Sequence, residues 1–526
     1  MTSLGVSDRR LTPAERKVVN RYNTDSKFTH DSLLSKIKKT LQTAVEVELA
    51  TIPIYLHTYY SIERKPKGFK SAMNPPGAWG STAAFIPTRG GSVIDEDKTT
   101  QLQTHANKAG ATIMSVVVEE MLHLSLVTNV LHALGGQPKL YGQSPTRFPA
   151  RLPGHRRRGP DNKPLAIALD KYSYEHLWDF LEIEYPESLD ARPEASQWET
   201  IGQLYSAARC IIACDKLTDE DFQVGAGATQ FQPGFYAPNN IDTLYAAKPF
   251  NQRALPKQRD SAAQQARYLN ASDSHRGRSQ LITVQSKQDA LDAIGTICDQ
   301  GEGAHHSRWD DKSHAELSHY YKFLELQSEH LGFPEKDVLP TGRGFPKIPK
   351  PAKNPLTAEE VNYFVYNFKK NLKVAEVQAV DPVAADIVTC ANALYQYMLI
   401  MTETVLLAEG HEQKMLFYTG MHNSMIWMLD KYVQSMRLIQ VKIGRETYAL
   451  CPTWEFVDMG SRADGYKGAL QKLKRYAVIA QNAVNQSANP SNYSDIADYF
   501  PLITCPSNAR LNTPPLPDVA NFWARA

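Results

Sequence analysis

Apolar residues recur at three- and four-residue steps through most of the chain, the period of helices that bury one face. Over residues 32–63 the series Leu34, Ile37, Leu41, Val45, Leu49 and Ile52 predicts a long helix, kinked at Pro53. A second long helix is predicted over 97–134, stopped by Gly135-Gly136. Shorter helices are expected at 172–184, 199–216, 287–300 and 313–331, the last two joined by a Gly301-Glu302-Gly303 hinge. Thr357-Ala-Glu-Glu360 reads as a capping box that opens a further helical region. That region holds a long pair at 382–409 and 412–440 and a basic amphipathic helix near 466–482.

Between these elements the periodicity fails. Residues 65–96 are rich in Pro, Gly and Ser (Pro75-Pro76-Gly77, Gly90-Gly91-Ser92), which cannot continue a helix and form too long a stretch for a plain connector. Residues 141–171 read as loop. Residues 218–284 are irregular, with one candidate strand at 280–284, and read as an insertion or lid. The expected organisation is a helical domain over 30–335 carrying insertions at 65–96 and 218–284. A Pro-rich linker then leads to a C-terminal helical region, 356–526, packed on that domain.

Composition changes this picture little. With 58 basic and 56 acidic residues the net charge is +2, so there is no field to attract nucleic acid. Arg156-Arg157-Arg158 reads as a solvated loop. Six Cys in 526 residues make no disulfide framework. Cys210 and Cys214, one helical turn apart in an apolar helix, are expected to be buried reduced thiols. The stretch from Met1 to Lys27 does not resemble a signal peptide and no long apolar run is evident, so no membrane association and a cytoplasmic location are expected.

The chemistry lies in two Glu-x-x-His triplets, Glu120-Met-Leu-His123 and Glu316-Leu-Ser-His319. Residues three apart share a helix face, so each triplet offers a carboxylate oxygen and an imidazole nitrogen to one point. The stretch from Val116 to Val127 is apolar almost all round, yet it holds two acids and a histidine. A buried unpaired carboxylate costs several kcal/mol, which a metal cation offsets. Glu48 sits in an equally apolar helix. Oxygen and imidazole donors without a nearby Cys suit iron, manganese or zinc. Glu119 points about 100° away from Glu120, so Glu120 is the acid that shares the face of His123, and Glu119 is a surface or supporting group.

Glu48-Leu-Ala-Thr-Ile-Pro-Ile-Tyr-Leu-His-Thr-Tyr-Tyr-Ser-Ile62 resembles a known family when read with three later motifs. These are Glu119-Glu120-Met-Leu-His123 running to Gly135-Gly-Gln-Pro138, Gln300-Gly-Glu-Gly303, and Glu316-Leu-Ser-His-Tyr-Tyr-Lys-Phe323. The family is the iminophenyl-pyruvate dimer synthases, ferritin-like proteins that include enzymes of violacein and indolocarbazole biosynthesis. The resemblance spans roughly residues 30–330, and Cys451-Pro-Thr-Trp-Glu-Phe456 is a looser match. It implies a mainly α fold, a ferritin-like four-helix bundle with long insertions and a metal site, performing redox chemistry on amino-acid-derived molecules.

The expected ligands are Glu48, Glu120, His123, Glu316 and His319, with a sixth from Glu302, Gln203 or Glu184. Glu302 is the first choice, because an antiparallel hairpin across its hinge could bring it to Glu316. Tyr55, Tyr59, Tyr320 and Tyr321 lie close enough in sequence to donate hydrogen bonds to the ligands. Iron, as a dinuclear centre, is the expected cofactor, with manganese or another transition metal as alternatives. Dioxygen and a small amino-acid-derived metabolite, such as an aromatic amino acid or its imine, are the expected partners, and a homo-oligomer is compatible with the sequence. Two other readings are a store of metal or scavenger of peroxide, and a binding module that keeps metal without turnover.

Overall fold

The computed structural model describes residues 11–63, 96–157, 163–187, 191–225, 230–231, 281–301, 319–328, 356–504 and 515–525. Two long helices form its spine: α2, His30–Ser61, and α3, Glu96–Ala133, which pack along each other. They are preceded by α1, Pro13–Thr24. Every residue of α2 from Val47 to Ser61 is buried, and so is every residue of α3 from Ile113 onward except Val118, which is half-buried. A helix apolar on all sides belongs inside a bundle. Two stretches, Thr112–Ala133 and Pro382–Leu407, are long and apolar enough to cross a membrane, contrary to the sequence expectation, but both lie mostly or wholly buried within the fold. Helix α2 runs on through Pro53, whose ring removes one of its hydrogen bonds.

The third and fourth arms of the bundle are each built from two short helices. The third consists of α4, Tyr174–Ile183, and α5, Ile201–Ala213; the fourth consists of α6, Lys287–Gln300, and α7, His319–Ser328. Helix α6 packs on α5 and α3, while α7 packs on α4 and α3. The backbone N–H of His319 donates to the carbonyl of Gly301 at 3.1 Å, so α7 starts where α6 stops. Helices α6 and α7 thus follow one another along the same arm, and the hairpin expected between Glu302 and Glu316 lies outside the described residues. The breaks have local causes. Helix α4 ends just before Tyr185-Pro186, because the residue ahead of a proline is pushed out of helical conformation, and α6 ends at Gly301. Side-chain caps open the arms: Ser173 accepts from the N–H of His176, and Ser286 from that of Asp289.

Two further expectations change. Within residues 141–171, read as loop, strands β1, Ala150–Arg156, and β2, Pro164–Ile167, pair antiparallel. The candidate strand at 280–284 pairs with no strand among the described residues. Side-chain amides hold its backbone instead. Gln230 donates to the Val284 carbonyl at 2.6 Å and accepts from its N–H at 2.7 Å, and Asn129 donates to the Ile282 carbonyl at 3.0 Å. Most of the 65–96 and 218–284 insertions lies outside the described residues.

In the C-terminal region α8, Pro382–Leu407, packs on α9, Ala469–Gln486, and a second hairpin joins β3, Gln440–Ile443, to β4, Glu446–Ala449. The expected helix at 412–440 is helical to Met436 but widens into π-helical turns over Phe417–Met421 and Asn423–Asp430. Buried polar contacts join this region to the spine. Arg437 donates to the carbonyls of Tyr60 at 2.8 Å and Ile62 at 2.9 Å and pairs with Glu63 at 3.3 Å, while Tyr366 also bonds Glu63. Glu403 accepts from the N–H groups of Leu140 and Tyr141.

Candidate metal centre

The arm breaks open onto the middle of α2 and α3, and there the acids and histidines of four arms converge. Glu48 comes from α2, Glu119, Glu120 and His123 from α3, Glu184 from the C-terminal cap of α4, and His319 from the first turn of α7. Donor atoms of Glu120, His123 and His319 all lie within 4.8 Å of one another, a group that could hold a metal ion. Glu120 Oε1 is 3.0 Å from His319 Nδ1, Glu184 Oε2 is 3.5 Å from the same nitrogen, and Glu48 Oε2 is 3.7 Å from His123 Nδ1. The two imidazoles stack with ring centres 5.2 Å apart.

A ring of support surrounds this group. Glu119 Oε2 lies 2.9 Å from His319 Nε2, and the ammonium of Lys322 is 2.6 Å from Glu119 Oε1. Gln300 Oε1 is 3.3 Å from His123 Nε2. The hydroxyl of Tyr205 donates to Glu48 and that of Tyr55 to Glu184. In each case the histidine's outer nitrogen is held, which leaves Nδ1 turned to the carboxylates.

The electrostatics call for a cation. Glu48, Glu119, Glu120 and Glu184 are each at most 3% exposed, and among the described residues Lys322 pairs with one of them, Glu119. Burial, reinforced by the charge of Glu48 and a hydrogen bond with it, pushes the Glu120 carboxyl well above its ordinary value. Burial acts on Glu48 in the same sense, but hydrogen bonds with Glu120 and His123 outweigh it and hold Glu48 low. Burial works against a charged His319, yet the charge of Glu184, the hydrogen bond with Glu119 and the close carboxylate of Glu120 raise it well above the usual imidazole range. The pair Glu48 and Glu120 can share a proton; a metal ion serves the same purpose with more charge. His319 Nδ1 also has no aligned hydrogen bond despite the 3.0 Å approach of Glu120. With Nε2 held by Glu119, a metal ion that displaces the Nδ1 proton would meet an imidazole nitrogen and carboxylate oxygens, with no thiolate in the group, a donor set that fits a hard or borderline ion such as iron or manganese.

Of the residues expected from the sequence, Glu48, Glu120, His123 and His319 come together, and Glu184, the last of three candidates for the sixth position, joins them. Gln203 does not: it caps its own helix, accepting from the N–H of Glu199 at 2.8 Å and donating to the Arg192 carbonyl at 3.0 Å. Glu302 and Glu316 lie outside the described residues. Tyr55 contacts the group through Glu184, whereas Tyr320 packs edge-on against Tyr185. Lys322, Gln300 and Tyr205 were not singled out from the sequence. Lys322 follows His319 by three residues, the same helix-face spacing that marks the triplets, and that spacing could have flagged it.

A family model described as Ferritin-like matches residues 41–328, more than half of the chain. The chain belongs to the Ferritin-like family. Among solved structures it is similar to a ferritin like protein from Caulobacter vibrioides, at 16% identity over 76% of this chain and 95% of that one, with a TM-score of 0.37. No curated protein matches the sequence.

Proposed function

We propose that this chain is a metal-dependent oxidoreductase, with a centre of two iron ions that uses dioxygen to oxidise a small amino-acid-derived metabolite, an aromatic amino acid or its imine. The reading rests on one observation above the others: four buried carboxylates and two stacked imidazoles carried by four arms meet at one place, and among the described residues the lysine found there, Lys322, is paired with Glu119. Glu48, Glu120, His123, Glu184 and His319 would hold the ions, together with Glu316, which precedes His319 by three residues as Glu120 precedes His123. Glu184 thus takes the place first considered for Glu302. The resemblance of its motifs to those of the iminophenyl-pyruvate dimer synthases supports the choice of substrate class.

Bound ions of this kind supply electrons for the reduction of dioxygen. The chain's own part is to arrange and insulate. Glu119 and Gln300 fix the tautomer and tilt of His319 and His123 by holding their outer nitrogens. Tyr205 and Tyr55 hold one oxygen each of Glu48 and Glu184, leaving the other oxygen of each carboxylate for the centre. Burial of the whole group keeps bulk water away and strengthens each of these contacts.

Oxygen uptake by iron-loaded protein, with and without aromatic amino acids, tests the reading. Uptake that rises with an organic substrate supports it. Uptake equal to iron oxidation alone points to storage, breakdown of hydrogen peroxide without substrate points to scavenging, and no uptake leaves a metal-keeping module.

A further inference from the structure

Between α1, the N-terminal half of α2 and the segment joining α4 to α5, a cavity of about 440 Å³ opens. Its wall is aromatic, with Tyr22 and Phe28 meeting edge to face at 4.9 Å between ring centres. Around them stand four cationic side chains, Arg21 of α1, Lys36 and Lys39 of α2, and Arg192 from the segment between α4 and α5. Lys36 donates to the Tyr22 hydroxyl at 2.9 Å, and the Arg21 guanidinium lies 5.4 Å from the centre of the Phe28 ring. The cavity also includes one carboxylate, Glu194. That acid is engaged within its own loop, where it accepts from the N–H groups of Ala195 and Ser196, each at 2.9 Å, and from the Ser196 hydroxyl at 2.8 Å. Among the described residues neither Lys39 nor Arg192 has an ion-pair partner.

Four exposed cationic side chains line one concavity, the two without an ion-pair partner are available to an anion, and the volume is that of a pocket for a small molecule. We propose that this cavity is a binding site for a small organic anion, a carboxylate or phosphate monoester with an aromatic body. Arg192 supplies a planar fork of donors and Lys39 a point charge for the anionic group, while the ring of the ligand lies against Tyr22 and Phe28. The site is separate from the metal centre. Lys39 and Lys36 precede Glu48 by nine and twelve residues on the same helix, roughly 14 and 18 Å along its axis.

Isothermal titration of the full chain at low salt with phenyl phosphate, benzoate, inorganic phosphate and benzyl alcohol tests the proposal. Phenyl phosphate or benzoate should bind once per chain, the stronger of the two identifying the preferred anionic group, and benzyl alcohol should not bind. Replacing both cations, Lys39→Ala with Arg192→Ala, should weaken binding at least 10-fold with metal content and helicity unchanged. The His123→Ala variant should bind the same anion as the wild type, which separates this site from the metal centre. The proposal is overturned if no aromatic anion binds, if inorganic phosphate or benzyl alcohol binds as well, if the double variant binds like wild type, or if His123→Ala abolishes binding.

Discussion

The Lys322 ammonium lies 2.6 Å from Glu119 Oε1 while the other oxygen of that carboxylate lies 2.9 Å from His319 Nε2. Both partners of the ion pair are buried, at 4% and 1% exposure. A charge so placed is tolerable only while its partner is present, because removing one member of a buried pair leaves an uncompensated ion.

Lys322→Met should therefore destabilise the protein by about 3–5 kcal/mol in denaturant unfolding. Combining it with Glu119→Gln, which removes the stranded charge, should recover part of that loss. A double variant whose loss equals the sum of the two single losses would show that the two residues do not act together.

Glu119 and Glu120 are neighbours with different tasks. Glu120 meets His319 Nδ1 on the inner side, and Glu119 holds Nε2 on the outer side. Glu120→Gln should abolish stoichiometric metal binding, and Glu119→Gln should weaken it by about 10–100-fold, the usual effect of a supporting contact. Equal losses in metal titrations would put both acids in direct contact with the ion.

Much of this arrangement is legible in the sequence. The spacing of apolar residues places α2 and α3 to within two residues at either end, since helices buried all round have no competing pattern. Glu48, Glu120, His123 and His319 stand out because charges in such helices need a reason. The choice among Glu184, Gln203 and Glu302 depends on where the arms break in space, which periodicity does not report. Pro186 shortly after Glu184 is the clue, because it ends α4 beside the acid. Helix α1 has its own signal in Thr12-Pro13-Ala14-Glu15, a capping box that the structure contains and the sequence reading passed over. Strand β1 was missed because only Ala150, Arg151 and Leu152 alternate before Pro153-Gly154 interrupts them.

The sixth position can be tested directly. Glu184→Gln should lower metal per chain and oxygen-dependent activity, while Gln203→Ala should leave both within error and cost about 1 kcal/mol of stability through its helix cap. Should Glu302→Gln reproduce the loss while Glu184→Gln binds metal normally, Glu302 supplies the ligand.

Away from the centre, Glu187 gives the stability a pH dependence of defined sign. Burial, aided by the charge of Glu15, raises its carboxyl from 4.5 to about 8. Between those values the folded protein keeps a proton that the unfolded chain has released, so stability falls as pH rises through this window. The loss is on the order of a few kcal/mol at about 1.4 per pKa unit. Glu187→Gln should flatten the slope between pH 4.5 and about 8. An unchanged slope in that variant would remove Glu187 as its source.

At the acid end, His57 acts in the opposite direction. Burial, with a smaller effect of nearby His176, lowers its pKa from 6.5 to about 3, and its ring packs on Phe368 at 5.2 Å. The unfolded chain takes up a proton there that the folded one refuses, so stability drops as pH falls from 6.5 toward 3. His57→Phe should move the midpoint of acid unfolding to lower pH. A midpoint that stays in place would locate the acid sensitivity elsewhere, among residues such as His132 and His422, which burial also lowers to about 4.

The central claim is that buried carboxylates and imidazoles on four arms hold metal. Elemental analysis of protein purified without added metal, expressed as ions per chain, tests it most directly in the wild type and in His123→Ala and His319→Ala. The account predicts transition metal in the wild type, iron foremost, and a clear loss in both variants with helical content largely retained. Full occupancy in both variants, or a wild-type protein that takes up no metal even when iron or manganese is supplied, would contradict it.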